Sequence, residues 1–167
     1  MKTRVDNILQ KMKSNNVERN KVISVEDIKK FEQENGIKLP KELVIFYTEI
    51  SNGCKMIDGC NLLKMEEWKY KAEKINKDFL FTEYWIWEDD HDEERVKHIE
   101  DGNLELIDIG DSQTWNIIVN GKEEGKMWFF TDVGIQPCAP SMNFLEWFEF
   151  WLDGNEDYFY EFNYVST

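Results

Sequence analysis

The chain has 167 residues, 41% of them hydrophobic and 14% aromatic, and 34 Asp and Glu against 20 Lys and Arg leave a formal net charge of −14. That much apolar material argues against disorder, and the length suits one domain, residues 1–167, burying roughly 70% of its unfolded surface. The negative excess repels phosphate backbones and anionic membranes, which excludes nucleic acid and lipid surfaces as direct partners and favours a basic protein surface. Residues 1–82 are near neutral at +3. Residues 83–101 hold nine acidic side chains against two basic ones, and residues 132–167 hold seven against none.

Val5, Ile8, Leu9 and Met12 recur at helical spacing among Lys2, Arg4, Lys11 and Lys13. The pattern predicts a surface helix within residues 1–21 docked by one face, rather than a signal peptide. No run approaches about 18 uncharged apolar residues, so no membrane span is expected. Ser24 followed by Asp27 is a near capping box, and Val25, Ile28 and Phe31 then mark a helix that Gly36 ends. Pro40 suits the first turn of a second helix, with Leu43, Val44, Phe46, Tyr47 and Ile50 as its apolar face and Asn52-Gly53 as its stop. Cys54 to Leu63 reads as a hairpin turning at Asp58-Gly59, and Met65, Trp68, Ala72 and Ile75 as a helical stripe over 65–76.

From Phe79 to Trp87 the pattern is ambiguous: Phe79, Phe81, Trp85 and Trp87 alternate like a strand, but Leu80 and Ile86 break the alternation. Asp89 to Glu100 is a polar helix or loop. Strands are expected at Leu104–Ile109, Trp115–Val119 and Lys126–Thr131, joined as a meander, with Ile135–Cys138 as a short edge strand halted by Pro137 and Pro140. The last element is a helix from about Asn143 to Leu152, with Glu146 three residues after Asn143 and Gly154 as its stop. Helices first, strands in the middle and a closing helix argue for α+β with an antiparallel sheet.

Several of these residues carry a family resemblance. Phe31-Glu32, Gly36-Ile37-x-Leu39-Pro40, the aromatic helix and Asn52-Gly53 resemble the opening of the SMI1/KNR4 (SUKH) superfamily. The run from Leu106 to Asp111 is similar to that family's strand ending in Gly-Asp. Gly125–Trp128 resembles its following strand, and Ser141–Leu152 its closing helix. The likeness spans about 22–154, leaving 1–21 as an added N-terminal helix and 155–167 as a C-terminal extension. Cys54 stands where the family usually has a second Gly, and Gln113-Thr114-Trp115 replaces a small, Gly-containing turn. The resemblance implies an SMI1/KNR4-like α+β fold and an immunity protein that neutralises a toxin, often a nuclease, in a bacterial polymorphic-toxin system. Fungal relatives imply a second reading, an intracellular scaffold or regulator.

The densest polar cluster is Glu88, Asp89, Asp90, His91, Asp92, Glu93 and Glu94, directly after Trp85 and Trp87. It lacks the glycine and alternating spacing of a calcium loop, which leaves a partner-facing acidic patch or a solvated loop. An exposed Trp beside it would be a binding anchor and a buried one a core residue. Glu146, Glu149 and Asp153 fall on one helix face opposite the aromatics, a second acidic row available to a partner. His91 and His98 read as surface residues rather than metal ligands. Asp108 and Asp111 flank Gly110 and admit either turn formation or, as a third reading, hydrolase chemistry. The cysteines Cys54, Cys60 and Cys138 suggest a reduced, cytoplasmic chain, with a Cys54–Cys60 disulfide left open. No nucleophile elbow, phosphate loop, dinucleotide fingerprint or zinc pattern is present, so no enzyme, cofactor or metal is expected.

Overall fold

The computed structural model describes residues 2–160; residues 161–167 of the predicted C-terminal extension lie outside the described residues. Helix α1 spans Lys2–Ser14, α2 spans Val25–Asn35 and α3 spans Lys41–Ile45, running on into a π-helical turn at Phe46–Ile50. The capping box forms: Ser24 Oγ accepts the Asp27 amide at 3.1 Å, and Asp27 Oδ2 accepts the Ser24 amide at 3.3 Å. Gly36 ends α2 in the left-handed region at φ 65°. Pro40 occupies the N-cap of α3 rather than its first turn, still at a point where no amide is needed.

The residues that carry the family resemblance are joints. Glu32, although buried, accepts the Leu39 amide at 2.9 Å and the Lys38 ammonium at 3.2 Å, so one carboxylate fastens the Gly36–Pro40 turn to α2. Asn52 closes the next junction, accepting the Met65 amide at 2.8 Å and donating to Glu66 at 3.1 Å. Gly53 is needed beside it, because at φ 70° any Cβ would stand 2.3 Å from the Leu62 carbonyl oxygen.

The hairpin is a small ladder, β1 (Cys54–Lys55) with β2 (Asn61–Leu62), turned by a 3-10 segment at Ile57–Gly59. The helix expected over 65–76 does not form. One 3-10 turn, Met65–Glu67, is followed by extended and turn backbone that covers the outer edge of a later strand: the Lys69 carbonyl accepts from Glu105 at 2.9 Å and that of Lys74 from Gly102 at 3.0 Å. Trp68 and Ile75 are buried as their spacing predicted, but the backbone divides its bonds between short local turns and a sheet edge.

The main sheet contains β3 (Trp85–Ile86), β4 (Asn103–Gly110), β5 (Gln113–Ile118), β6 (Met127–Phe130) and β7 (Gly134–Pro137), and the short helix α4 (Glu93–Val96) lies between β3 and β4. Among the described residues it is five-stranded and antiparallel, in the order β3-β7-β6-β5-β4. The β4–β7 meander is as expected. The edge assignment of 135–138 is not: β7 is interior, covered by β3. Pro137 is tolerated because β3 pairs only with Gly134 and Ile135, leaving no partner that would need the missing amide.

Side-chain alternation divides the core in two. Trp115, Ile117, Met127 and Phe129 face α1, α2, α3 and α5 (Phe144–Leu152) in the larger cluster. Ile118, Trp128, Phe130 and Ile135 face the other way, beneath Phe79, Phe81 and Trp85. The larger side is rich in rings, with Trp115 stacked on Phe129 at 4.8 Å and Trp147 edge-on to Phe159 at 5.2 Å. Phe159 comes from a closing 3-10 turn, Glu156–Tyr160, and its carbonyl accepts the Trp115 indole N–H at 3.0 Å. Both α1 and this turn therefore belong to the same core as the middle of the chain.

Candidate functional site

The two acidic groups end up on opposite faces of the sheet. On the helical face, Asn143 precedes α5 without a side-chain cap. Glu42 of α3 takes that role, its Oε2 accepting the Leu145 amide at 3.0 Å. Arg4 of α1 reaches the other Glu42 oxygen at 3.1 Å and Glu149 at 2.8 Å. Lys11 lies 3.6 Å from Glu149 and 2.8 Å from Asp153. Burial by itself would lower the Arg4 pKa, but the Glu149 hydrogen bond and the nearby carboxylates raise it overall; the Asp153 hydrogen bond raises that of Lys11. Two members of the predicted row are thus neutralised by cations from the first half of the chain, while Glu146 is exposed.

On the other face, Glu83, Glu88, Asp89, Asp90, Glu93 and Glu94 are exposed, and Asp92 is half-buried. Asp92 caps α4, its Oδ1 accepting the amides of Glu94 at 3.0 Å and Arg95 at 3.2 Å. The cations here are few and outlying. Lys97 pairs with Glu94 at 2.6 Å, and Arg95 stands 3.8 Å from Asp90. Each pair is exposed, so solvent screens most of its effect.

The aromatic residues divide as well. Trp85 is buried, its indole N–H donating to the Asp90 carbonyl at 3.2 Å; Trp87 is half-buried and donates to the Asp132 carbonyl at 3.1 Å. Trp85 is therefore a core residue that fastens the acidic turn to the sheet. The apolar surface comes from residues the sequence reading passed over: Leu80, 62% exposed, and Tyr84, 39% exposed. With Phe81, Trp85, Asp89 and Asp90 they border a groove of about 620 Å³. Its floor is Phe81 stacked on Trp85, 5.7 Å apart and within 12° of parallel. The guanidinium of Arg95 lies 4.5 Å from the Trp85 ring and 5.4 Å from that of Phe81. A signal for Leu80 was present, since it breaks the alternation of Phe79 and Phe81 and so points away from the core.

The other candidate residues have structural roles. Asp108 accepts the Gly110 amide at 2.8 Å, and Asp111 adopts φ 51°, both exposed at the β4–β5 turn. His98 Nδ1 lies 2.7 Å from buried Asp101, and exposed His91 lies 3.9 Å from Glu93. Among the described residues, no group of three or more His, Cys, Asp or Glu is placed to hold a metal. All three cysteines are free thiols; burial pushes Cys54 and Cys138 up to about 12, far from the thiolate form. Among the described residues, no helix is long and apolar enough to cross a membrane.

The sequence pattern of the SMI1 / KNR4 family (SUKH-1) matches residues 22–149. The chain belongs to that family. The match takes in the Glu32 and Asn52 joints, the whole sheet, the acidic segment and the first two thirds of α5, and leaves outside it α1, whose Arg4 and Lys11 neutralise Glu149 and Asp153. No curated protein and no solved structure matches the chain.

Proposed function

We propose that this SMI1/KNR4-family chain is a non-catalytic, cytoplasmic immunity protein that binds a cognate toxin with a basic surface, of nuclease type, and neutralises it by stoichiometric occlusion. The observation that carries the reading is the set of six exposed carboxylates between Glu83 and Glu94, paired with only two exposed basic side chains, Arg95 and Lys97, beside a groove floored by the Phe81 and Trp85 rings. Nucleases that grip phosphate backbones present cationic clefts. A fixed anionic surface steers such a partner, with association rates reaching about 10⁸–10⁹ M⁻¹s⁻¹ at low salt. Rapid capture suits an inhibitor whose target acts catalytically.

Leu80, Tyr84 and the exposed edge of Trp87 supply the apolar contact that charge alone lacks, and the carboxylates form a polar rim. Glu146, on the opposite face, is outside this surface; Glu149 and Asp153 serve the fold. Family membership agrees with the reading, as does the assignment of Asp108 and Asp111 to a turn. The experiment is a pull-down with the tagged full chain against the protein encoded beside it. A complex that forms at low salt and dissociates as salt rises supports the proposal, and no complex at low salt contradicts it.

A further inference from the structure

Resting on that reading, we infer that the groove between residues 80–86 and 89–95 is an arginine-recognition site, occupied in the free protein by the chain's own Arg95 and surrendered to an arginine of the basic partner on binding. The floor is made for a planar cation. Phe81 and Trp85 lie nearly parallel, and a guanidinium already rests 4.5 Å from the indole. Guanidinium groups stack on aromatic faces and pair with carboxylates in a way a compact ammonium does not, so the floor and Asp90 together favour arginine over lysine.

Arg95 is weakly held. Its ion pair with Asp90 is long at 3.8 Å, the two side chains are 45% and 76% exposed, and α4, which carries it, is four residues long. Its departure would uncover the aromatic floor and leave Asp90 without the cation paired with it. An incoming arginine restores both contacts, so the exchange conserves the charge and stacking of the site. The groove is also larger than the single side chain it holds, and Leu80, 62% exposed at its rim, can meet the residues flanking that arginine.

The test uses the full chain and a short neutral-ended peptide carrying two arginines, with its lysine counterpart as comparison. Binding is followed by the NMR signal of the Trp85 indole N–H, which donates into the acidic turn. Arg95→Met keeps an apolar stem and removes the cation; it is expected to tighten binding of the arginine peptide roughly three- to fivefold, in line with one vacated cation–π contact. Lys97→Met removes a neighbouring charge without touching the floor and is expected to do distinctly less. Should Arg95→Met fail to fold, Arg95→Lys retains the charge with a poorer stacking partner and is expected to shift the affinity in the same direction. Equal gains for Arg95→Met and Lys97→Met, equal affinity for the two peptides, or a Trp85 signal that does not move would overturn the inference. The toxin pull-down is independent: a complex that needs Asp89 and Asp90 but ignores Arg95 keeps the immunity reading and removes this one.

Discussion

The two faces of the sheet each carry a line of carboxylates, yet the lines sit in different surroundings. Above the larger core, Glu42, Glu149 and Asp153 are gathered by Arg4 and Lys11, and Glu42 also caps α5. Above the smaller core, the carboxylates of residues 83–94 stand mostly in solvent around a groove. Partly buried, hydrogen-bonded charge supports a fold, whereas exposed like charge opposes it slightly. Net charge cannot make that distinction, because it counts both lines alike.

The comparison can be broken first at the core beneath each line. Trp147→Ala, on the inner face of α5, removes a fully buried ring and is expected to cost about 3–5 kcal/mol in urea unfolding. Leu80→Ala, at the groove rim, should change stability by no more than about 0.5 kcal/mol. A similar loss at both sites would mean that the groove is part of the folding core.

The charges come next. Arg4→Met leaves Glu42 and Glu149 without their shared partner and is expected to cost about 1–2 kcal/mol, less at high salt. The combined Asp89→Asn, Asp90→Asn, Glu93→Gln and Glu94→Gln variant should unfold within about 0.5 kcal/mol of the wild type, in the stabilising direction, since it relieves repulsion between exposed groups. A marked loss of stability in the second variant would show that the outer line also holds the fold together.

The smallest effect lies at the far edge of the sheet. Burial raises the pKa of Glu105 above its ordinary value of 4.5, with Lys69 opposing the shift. A carboxyl whose folded pKa is raised disfavours folding once it ionises, so its penalty is absent below the unfolded value and complete above the folded one. Glu105→Gln should therefore exceed the wild type in stability at pH 7, and the advantage should fade as the pH falls towards 4.5. Thermal unfolding at the two pH values checks this, and an advantage independent of pH would assign the effect to packing.

Local chemistry made most of the fold legible before any coordinates. The Ser24–Asp27 box, the Gly36 cap, the Asn52-Gly53 stop and the β4–β7 meander all rest on neighbours in sequence, and each formed. The stripe at 65–76 misled because Trp68 and Ile75 satisfy a helical period while their backbone pairs with β4, a contact some thirty residues away. The edge reading of 135–138 failed for the same reason, since nothing local announced that Trp85 and Ile86 would pair outside β7. The acidic segment was evident as composition, but its groove was not. Leu80, Tyr84 and Arg95 acquire meaning only once Phe81 and Trp85 are stacked beneath them. Nor could helical spacing reveal that Arg4 and Lys11, more than a hundred residues from α5, would neutralise Glu149 and Asp153.

The most direct measurement is the association rate of the toxin proposed as partner with two charge-matched variants, followed at low and at high salt. One variant removes Asp89, Asp90 and Glu93 as amides; the other removes Glu146, Glu149 and Asp153 in the same way. The account predicts that the first slows association by about tenfold or more at low salt, with the difference shrinking as salt rises, while the second associates like the wild type. Equal slowing by both, or slowing only by the second, would contradict it.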